Sequence, residues 1–214
     1  MKRRGRDPLV ERAVALGVTD ERVLEAVRQI PRVNFVPPAA RLIANRDAPV
    51  PIGHGQTTSQ PSLIAHVVAE LDLKATDRVL EVGTGLGYQT AMLAAIADEV
   101  FSVDRYTDLV EAARANLSAH GVHNVRLTTG DGTEGWPEHA PFDAIVVSAA
   151  FEEVPPPLVE QLAEDGRLIQ PLGGRRKDEL VRFRKVDGEL VADRRLGAAR
   201  YVPLRGRYGS DRGE

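Results

Sequence analysis

The sequence predicts an α/β protein. Its core is a doubly wound, Rossmann-like sheet, mostly parallel, with antiparallel strands at the C-terminal end and a helical segment in front. Three observations predict this. From Arg78 onward, apolar runs alternate with amphipathic helical stretches: RVLEV, YQTAMLAAIA, EVFSVD, LVEAARANLSAHG, NVRLTTGDG, DAIVVSAA, a helix around PPLVEQLAEDG, and GRLIQPLGG. Such alternation requires crossover connections and so specifies parallel strands, here at least five. A glycine-rich turn directly follows the first of these strands. The last third, DELVRFRKVDGELVADRRL, reads as a hairpin turning at Asp187-Gly188, with extended chain continuing through ARYVPL.

In chain order, residues 1–7 form a flexible basic arm with four basic residues in the first six. Charges interrupt every apolar run that follows, so the arm leads into neither an export signal nor a membrane span. Residues 8–77 hold N-terminal helices and an active-site loop. Leu9, Val10, Ala13 and Leu16, then Val23, Leu24, Val27 and Ile30, recur at helical spacing. This predicts a helical hairpin with Gly17 as its stop, Thr19 as N-cap and Pro31 as its boundary. Residues 31–51 are irregular, punctuated by Pro37, Pro38 and Pro49. Residues 78–204 form the nucleoside-binding core and 205–214 a flexible tail.

Composition narrows the partners. A chain of 214 residues with 43% hydrophobic content can bury one full core. Net charge is −3 and cysteine is absent. The first gives no reason to expect nucleic acid; the second excludes thiolate chemistry and fits a reducing compartment. The expectation is a cytoplasmic monomer with neither nucleic-acid nor membrane partners. His54, His66, His120, His123 and His139 are scattered without an acid at metal-ligand spacing, so no metal is expected.

Ligands of such sheets bind at the carboxyl ends of the strands. The first core strand delivers Glu81, Gly83, Thr84, Gly85 and Gly87 there, and the glycines let backbone approach a nucleoside. The dinucleotide pattern G-x-G-x-x-G fails because its last position is Tyr88. A phosphate loop fails because no Lys-Ser or Lys-Thr follows. Glu81 would repel a pyrophosphate but tolerate an ammonium or sulfonium; S-adenosylmethionine carries both. Asp104, ending the second strand, can accept from two ribose hydroxyls, and Asp131 with Gly132, after the third, can meet the adenine amine. Either acid alone more often caps a turn; together they point to a nucleoside.

The segment before the core, Gly53-His54-Gly55-Gln56-Thr57-Thr58-Ser59-Gln60-Pro61, fits the pattern G-x-x-Q-T-I-S-x-P. With VLEVGTGLGYQTA, GDG, VPPPLVEQL and YVPL, it resembles the protein-L-isoaspartate O-methyltransferases, a class I family dependent on S-adenosylmethionine, over residues 31–204. The resemblance implies a methyltransferase sheet and places the family's catalytic serine on Ser59. It also implies that Gln56, Thr57, Thr58 and Arg105 join the cofactor contacts. The substrate would be an isoaspartyl- or aspartyl-containing peptide or protein, near His54, Ser59, Ala149, Val202, Pro203 and Leu204. The helix N-terminus after Ser59 would offer amide donors to its carboxylate, and YVPL would add to it as a strand. On residues alone, Thr58 or Ser59 could equally cap the Pro61 helix.

Two positions depart from the family pattern: Thr58 stands where isoleucine is usual, and Ser62 where His or an aromatic is frequent. They leave open a dedicated methyltransferase acting on aspartate of one precursor peptide. A non-catalytic cofactor-binding module is the reading from another class.

Overall fold

A computed structural model of the chain describes residues 7–173 and 178–210. Most of the expected basic arm, and residues 211–214 of the expected tail, lie outside them. Helices α1 (Pro8–Ala15) and α2 (Glu21–Gln29) form the predicted hairpin. Asp7 caps α1, and Asp20 rather than Thr19 caps α2, its carboxylate accepting from the Arg22 N–H at 2.8 Å. Aspartate places a full charge at the positive helix end, which threonine does not.

Two 3-10 turns follow, at Arg32–Phe35 and Pro38–Ile43. The chain then forms a hairpin of its own, β1 (Val50–Gly53) and β2 (Gln56–Thr58), antiparallel with Val50 opposite Thr58. Sequence reading expected loop here. Helix α3 (Pro61–Glu70) then leads to the core.

The core elements are β3 (Arg78–Val82), α4 (Tyr88–Ala94), β4 (Glu99–Asp104), α5 (Thr107–Ala119), β5 (Val125–Thr129), β6 (Phe142–Val147), α6 (Pro156–Gln161), β7 (Leu162–Leu172), β8 (Asp178–Val186) and β9 (Glu189–Ala199). They build one seven-stranded sheet in the order β5-β4-β3-β6-β7-β8-β9, with β7–β8 and β8–β9 antiparallel and the rest parallel. The order reverses beside β3, which opens a crevice over the carboxyl ends of the central strands. The β8–β9 turn falls at Asp187 and Gly188, both at positive φ (51° and 82°), as predicted.

Strands β3, β4 and β6 are buried on both faces, which is why they read as unbroken apolar runs. One face packs Val79, Val100 and Val146 under α1 to α4; the other packs Leu80, Phe101 and Ile145 with Phe142 and Leu158. Helix α6 is shorter than predicted. Leu162 already pairs with Phe142 of β6 and is 1% exposed, so LAEDG extends as strand where local propensity favours helix.

No helix among the described residues is long and apolar enough to cross a membrane. Residues 205–210, expected as loose tail, return to the sheet: the Arg207 N–H donates to Asp131 Oδ2 at 2.7 Å, and the Ser210 N–H to the Leu204 carbonyl at 2.8 Å.

Candidate active site

The turn leaving β3 is shaped by glycine. Gly83 has φ 100°, and a Cβ there would come within 3.1 Å of Ser148 Cβ. A Cβ on Gly132 would strike Val82 Cγ1 at 2.5 Å. A side chain at either position would close the crevice. Gly85 and Gly87 continue the turn, and Gly87 opens α4.

Glu81 does not face the crevice. It is fully buried behind the turn, where Oε2 accepts from Thr90 Oγ1 (2.5 Å) and Ser102 Oγ (2.6 Å) and Oε1 from Gln89 Nε2 (3.0 Å). Its link to a ligand is indirect. Thr84 hydrogen-bonds Ser102 at 2.6 Å, Gln89 also donates to Ser148 Oγ at 3.0 Å, and Thr84, Gln89 and Ser148 line the crevice. Burial pushes the Glu81 carboxyl up to about 7, against the pull of these three donors.

Asp104 stands where the sequence places it. Oδ2 accepts from the Gly85 N–H at 2.9 Å and Oδ1 from the Tyr106 N–H at 3.1 Å, and its side chain borders both halves of the crevice. Burial raises its pKa although these amides favour the ionised form. Asp131, expected to meet the adenine amine, has a structural role as well. Its oxygens are taken by the Thr133 N–H (2.9 Å) and hydroxyl (2.7 Å) and by the Arg207 N–H, so it caps a turn and pins residues 205–210. Burial raises its pKa, but these donors outweigh that and hold it below the ordinary carboxylate value. Its neighbours Gly132 and Arg105 do border the crevice.

The β1–β2 hairpin roofs the crevice. Ile52, Gln56, Thr57, Thr58 and Ser59 line its first half, opposite Gly83, Gly85 and Asp104. Ala149, Val202, Pro203 and Leu204 line its second half, beside Arg105 and Gly132. Pro203 and Leu204 thus lie at the end away from Ser59. The YVPL backbone is also engaged: the Ala150 N–H donates to the Val202 carbonyl at 2.8 Å, and the Leu204 N–H to the Ala150 carbonyl at 2.7 Å. These bonds occupy one edge of the segment, the Val202 carbonyl and the Leu204 N–H.

His54 borders no part of the crevice. It sits at the hairpin tip at φ 52°, pairs through Nε2 with Asp108 Oδ2 at 2.8 Å, and stacks on Tyr106 at 4.2 Å. A two-residue turn carries the tip onto α5, where His54 meets Asp108.

Neither Thr58 nor Ser59 caps α3. Gln60 is the N-cap without a side-chain bond, and Asp47 supplies the acceptor: Oδ1 takes the Ser62 N–H at 2.9 Å and Oδ2 the Ser62 hydroxyl at 2.7 Å. At the helix end expected to bind substrate, Asp47 thus takes the Ser62 N–H, and Pro61 has no N–H to give. Ser62, departing from the family pattern, is a buried structural partner of Asp47. Among the described residues the Ser59 hydroxyl has no hydrogen-bond partner.

Sequence reading missed Arg32. It is 1% exposed and donates to the carbonyls of Ala44 (2.9 Å), Arg46 (3.1 Å), Ala48 (2.9 Å) and Ser59 (3.0 Å). It fixes the carbonyl of the candidate catalytic residue and keeps a cation beside it. An arginine between Ile30, Val33 and Phe35 was the available signal. Tyr88 was missed too: its hydroxyl is buried against the crevice without a partner, and burial pushes its pKa to about 12.

Thr57 and Ser59 border a third space as well, a groove of about 600 Å³ running between α3 and β9. The hairpin is thus a thin wall with the crevice on one side and an open groove on the other. A glycine cradle, a carboxylate for hydroxyls and an unsatisfied buried hydroxyl suit a nucleoside with a polar tail.

Fold and crevice define an S-adenosylmethionine-dependent methyltransferase of the doubly wound kind. Residues 4–209 match the family described as Protein-L-isoaspartate(D-aspartate) O-methyltransferase (PCMT), and the chain belongs to it. It is 48% identical over 208 residues to the protein-L-isoaspartate O-methyltransferase of Methanoculleus marisnigri, covering 97% of this chain and 94% of that one. The namesake from Syntrophus aciditrophicus is 47% identical over 197 residues, covering 91% and 90%. Among solved structures, a protein-L-isoaspartate O-methyltransferase superposes with TM-score 0.83 at 31% identity, over 94% of this chain and 66% of that one. One from Plasmodium falciparum, described as in complex with S-adenosyl-L-homocysteine, gives TM-score 0.80 at 28% identity over 93% and 97%.

Proposed function

We propose that the protein methylates the free α-carboxylate of L-isoaspartyl residues in damaged proteins and peptides, with Ser59 as the catalytic residue. One observation carries this reading. The unpartnered Ser59 hydroxyl stands in the wall shared by the nucleoside crevice and the open groove.

The bound cofactor supplies an electrophilic methyl group on a sulfonium. A carboxylate is already ionised at neutral pH, so its oxygen can attack that carbon without a base. When bound, S-adenosylmethionine would give up its methyl carbon to that oxygen and keep the electron pair of its own S–C bond. What the chain must contribute is position and dryness. The Ser59 hydroxyl donates to the second carboxylate oxygen, and the Arg32 guanidinium holds the Ser59 carbonyl and favours a nearby anion. Gln56, Thr57 and Thr58 exclude water. The methyl ester loses its oxygen far more readily than the carboxylate does, so the next backbone nitrogen attacks it, methanol leaves and a succinimide closes; water then opens the ring to normal aspartate or back to isoaspartate.

Incubation with radiolabelled S-adenosylmethionine and an isoaspartyl peptide, beside its aspartyl twin, tests the reading. Label is expected in the isoaspartyl peptide alone. Ser59→Ala is expected to cut single-turnover rate roughly 10- to 1000-fold with little change in cofactor affinity or melting temperature. Label in neither peptide overturns the substrate assignment, and a wild-type rate in the folded variant overturns the role of Ser59.

A further inference from the structure

The groove on the far side of Ser59 has the shape and charge of a peptide track. Its floor is one stripe of α3, Leu63, His66 and Glu70, at helical spacing from the residues just after Ser59. Its wall is the second half of β9, residues 194–199, with Arg200 just beyond it. Helix α3 rises roughly 15 Å over its ten residues, which matches about four to five residues of extended chain.

Strand β9 is the last of the sheet, so its outer edge carries backbone donors and acceptors that no neighbouring strand uses. It is also irregular. Its pairing with β8 shifts at Asp193 and at Leu196, and Gly197 has φ 104°, so the edge resists continuous pairing with another sheet while leaving short stretches open.

The charge is one-sided. Arg194, Arg195 and Arg200 border the groove, against Glu70 as its only bordering acid among the described residues. Arg194 pairs with Glu70 at 2.8 Å, and Glu70 is shared with Arg182 at 3.6 Å. Arg195 pairs with Glu179, which lies outside the groove, and its side chain is 74% exposed. Asp193 faces away onto Arg182 at 2.8 Å. Three bordering arginines against one bordering carboxylate leave the track cationic.

We infer that this groove holds, in extended form, the polypeptide on one side of the methylated residue, and that Arg195 and Arg200 select segments with acidic side chains there. The inference rests on the reading of Ser59 as the residue that receives the substrate carboxylate. It adds which substrates are taken first: acidic stretches, drawn in by exposed charge that acts on capture more than on the chemical step.

The test uses four isoaspartyl peptides of one length, with two Glu or two Lys residues placed either before or after the isoaspartyl residue, and a fifth with neutral flanks. The wild-type protein is expected to show a KM roughly tenfold lower for Glu than for Lys on one side only, with similar kcat, and the gap is expected to shrink as salt rises. Arg195→Glu with Arg200→Glu is expected to reverse the preference on that side at an unchanged melting temperature. Equal KM values in the wild type, or a preference that survives the double substitution, would overturn the groove assignment while methylation of the neutral peptide upholds the reading of Ser59. No label in any isoaspartyl peptide would overturn both.

Discussion

Glu81 is a carboxyl group that the fold keeps protonated to unusually high pH. Folding moves it from water into a pocket of hydroxyls and an amide, and burial raises its pKa from 4.5 to about 7. The sign of the linkage follows. Between these two values the folded protein binds a proton that the unfolded chain has released, so stability falls as pH rises from about 4.5 and levels off above about 7. The whole fall is about 3 kcal/mol. Glu81→Gln can keep the Gln89 bond on its oxygen and donate to Thr90 and Ser102 if their hydroxyls turn. Its melting temperature minus that of the wild type is expected to grow across pH 4.5–7 and then stay constant; a difference independent of pH would show that Glu81 ionises normally. At this scale the sequence was partly legible. Asp104 and the glycines after Val82 can be placed because a strand end dictates where such residues point. Glu81 and Asp131 sit at equivalent strand ends, but their partners Thr90, Ser102 and Arg207 come from distant segments, and those partners decide whether an acid faces ligand or protein.

The β1–β2 hairpin is the element that roofs the crevice. Two strands of four and three residues cannot be stable alone. This one is held at its base by Arg32, which bonds the Ser59 carbonyl, along its length by Ile52 packed on Leu86 and Leu109, and at its tip by His54 against Asp108 and Tyr106. The tip contact is exposed and ties the hairpin that roofs the crevice to α5. His54→Ala is expected to speed cofactor release roughly two- to five-fold, in the range of an exposed ion pair, and high salt is expected to mimic part of the effect on the wild type. Stopped-flow release is the measurement, and an unchanged rate would show that the tip does not gate the crevice. The hairpin was illegible as strand because Pro51, Gly53 and Gly55 read as loop, and its pairing is stabilised by what it lies upon. The central parallel strands β3, β4 and β6 were legible for the opposite reason: burial on both faces leaves unbroken apolar runs with helices between them.

Across the whole molecule, the N-terminal helices and hairpin must be carried at a fixed height above the sheet, because Ser59 belongs to one and Asp104 to the other. Part of that height is set by Arg167 in β7. Its guanidinium donates to the carbonyls of Leu71 (2.8 Å), Asp72 (3.0 Å) and Asp143 (3.0 Å) and pairs with the buried Asp77 carboxylate. One side chain thereby joins the end of α3, the start of β3, β6 and β7, across 90 and more positions of chain. Nothing in a single sequence announces such a contact, as GRLIQPL reads as strand whatever Arg167 binds. Arg167→Met would leave Asp77 buried without its cation. The expected cost is about 3–5 kcal/mol, because an unpaired buried charge is far worse than no pair at all. For a chain of this size that corresponds to a fall of roughly 6–20 °C in melting temperature. Arg167→Met with Asp77→Leu is expected to recover much of it, since the stranded charge is removed. At a temperature where the single variant is folded, its single-turnover rate reports on the height of the hairpin: a wild-type rate would mean that Arg167 stabilises the scaffold without setting the distance between Ser59 and the crevice, whereas a rate reduced along with stability, and restored in the double variant, is the outcome expected if the two halves are held in register by this side chain.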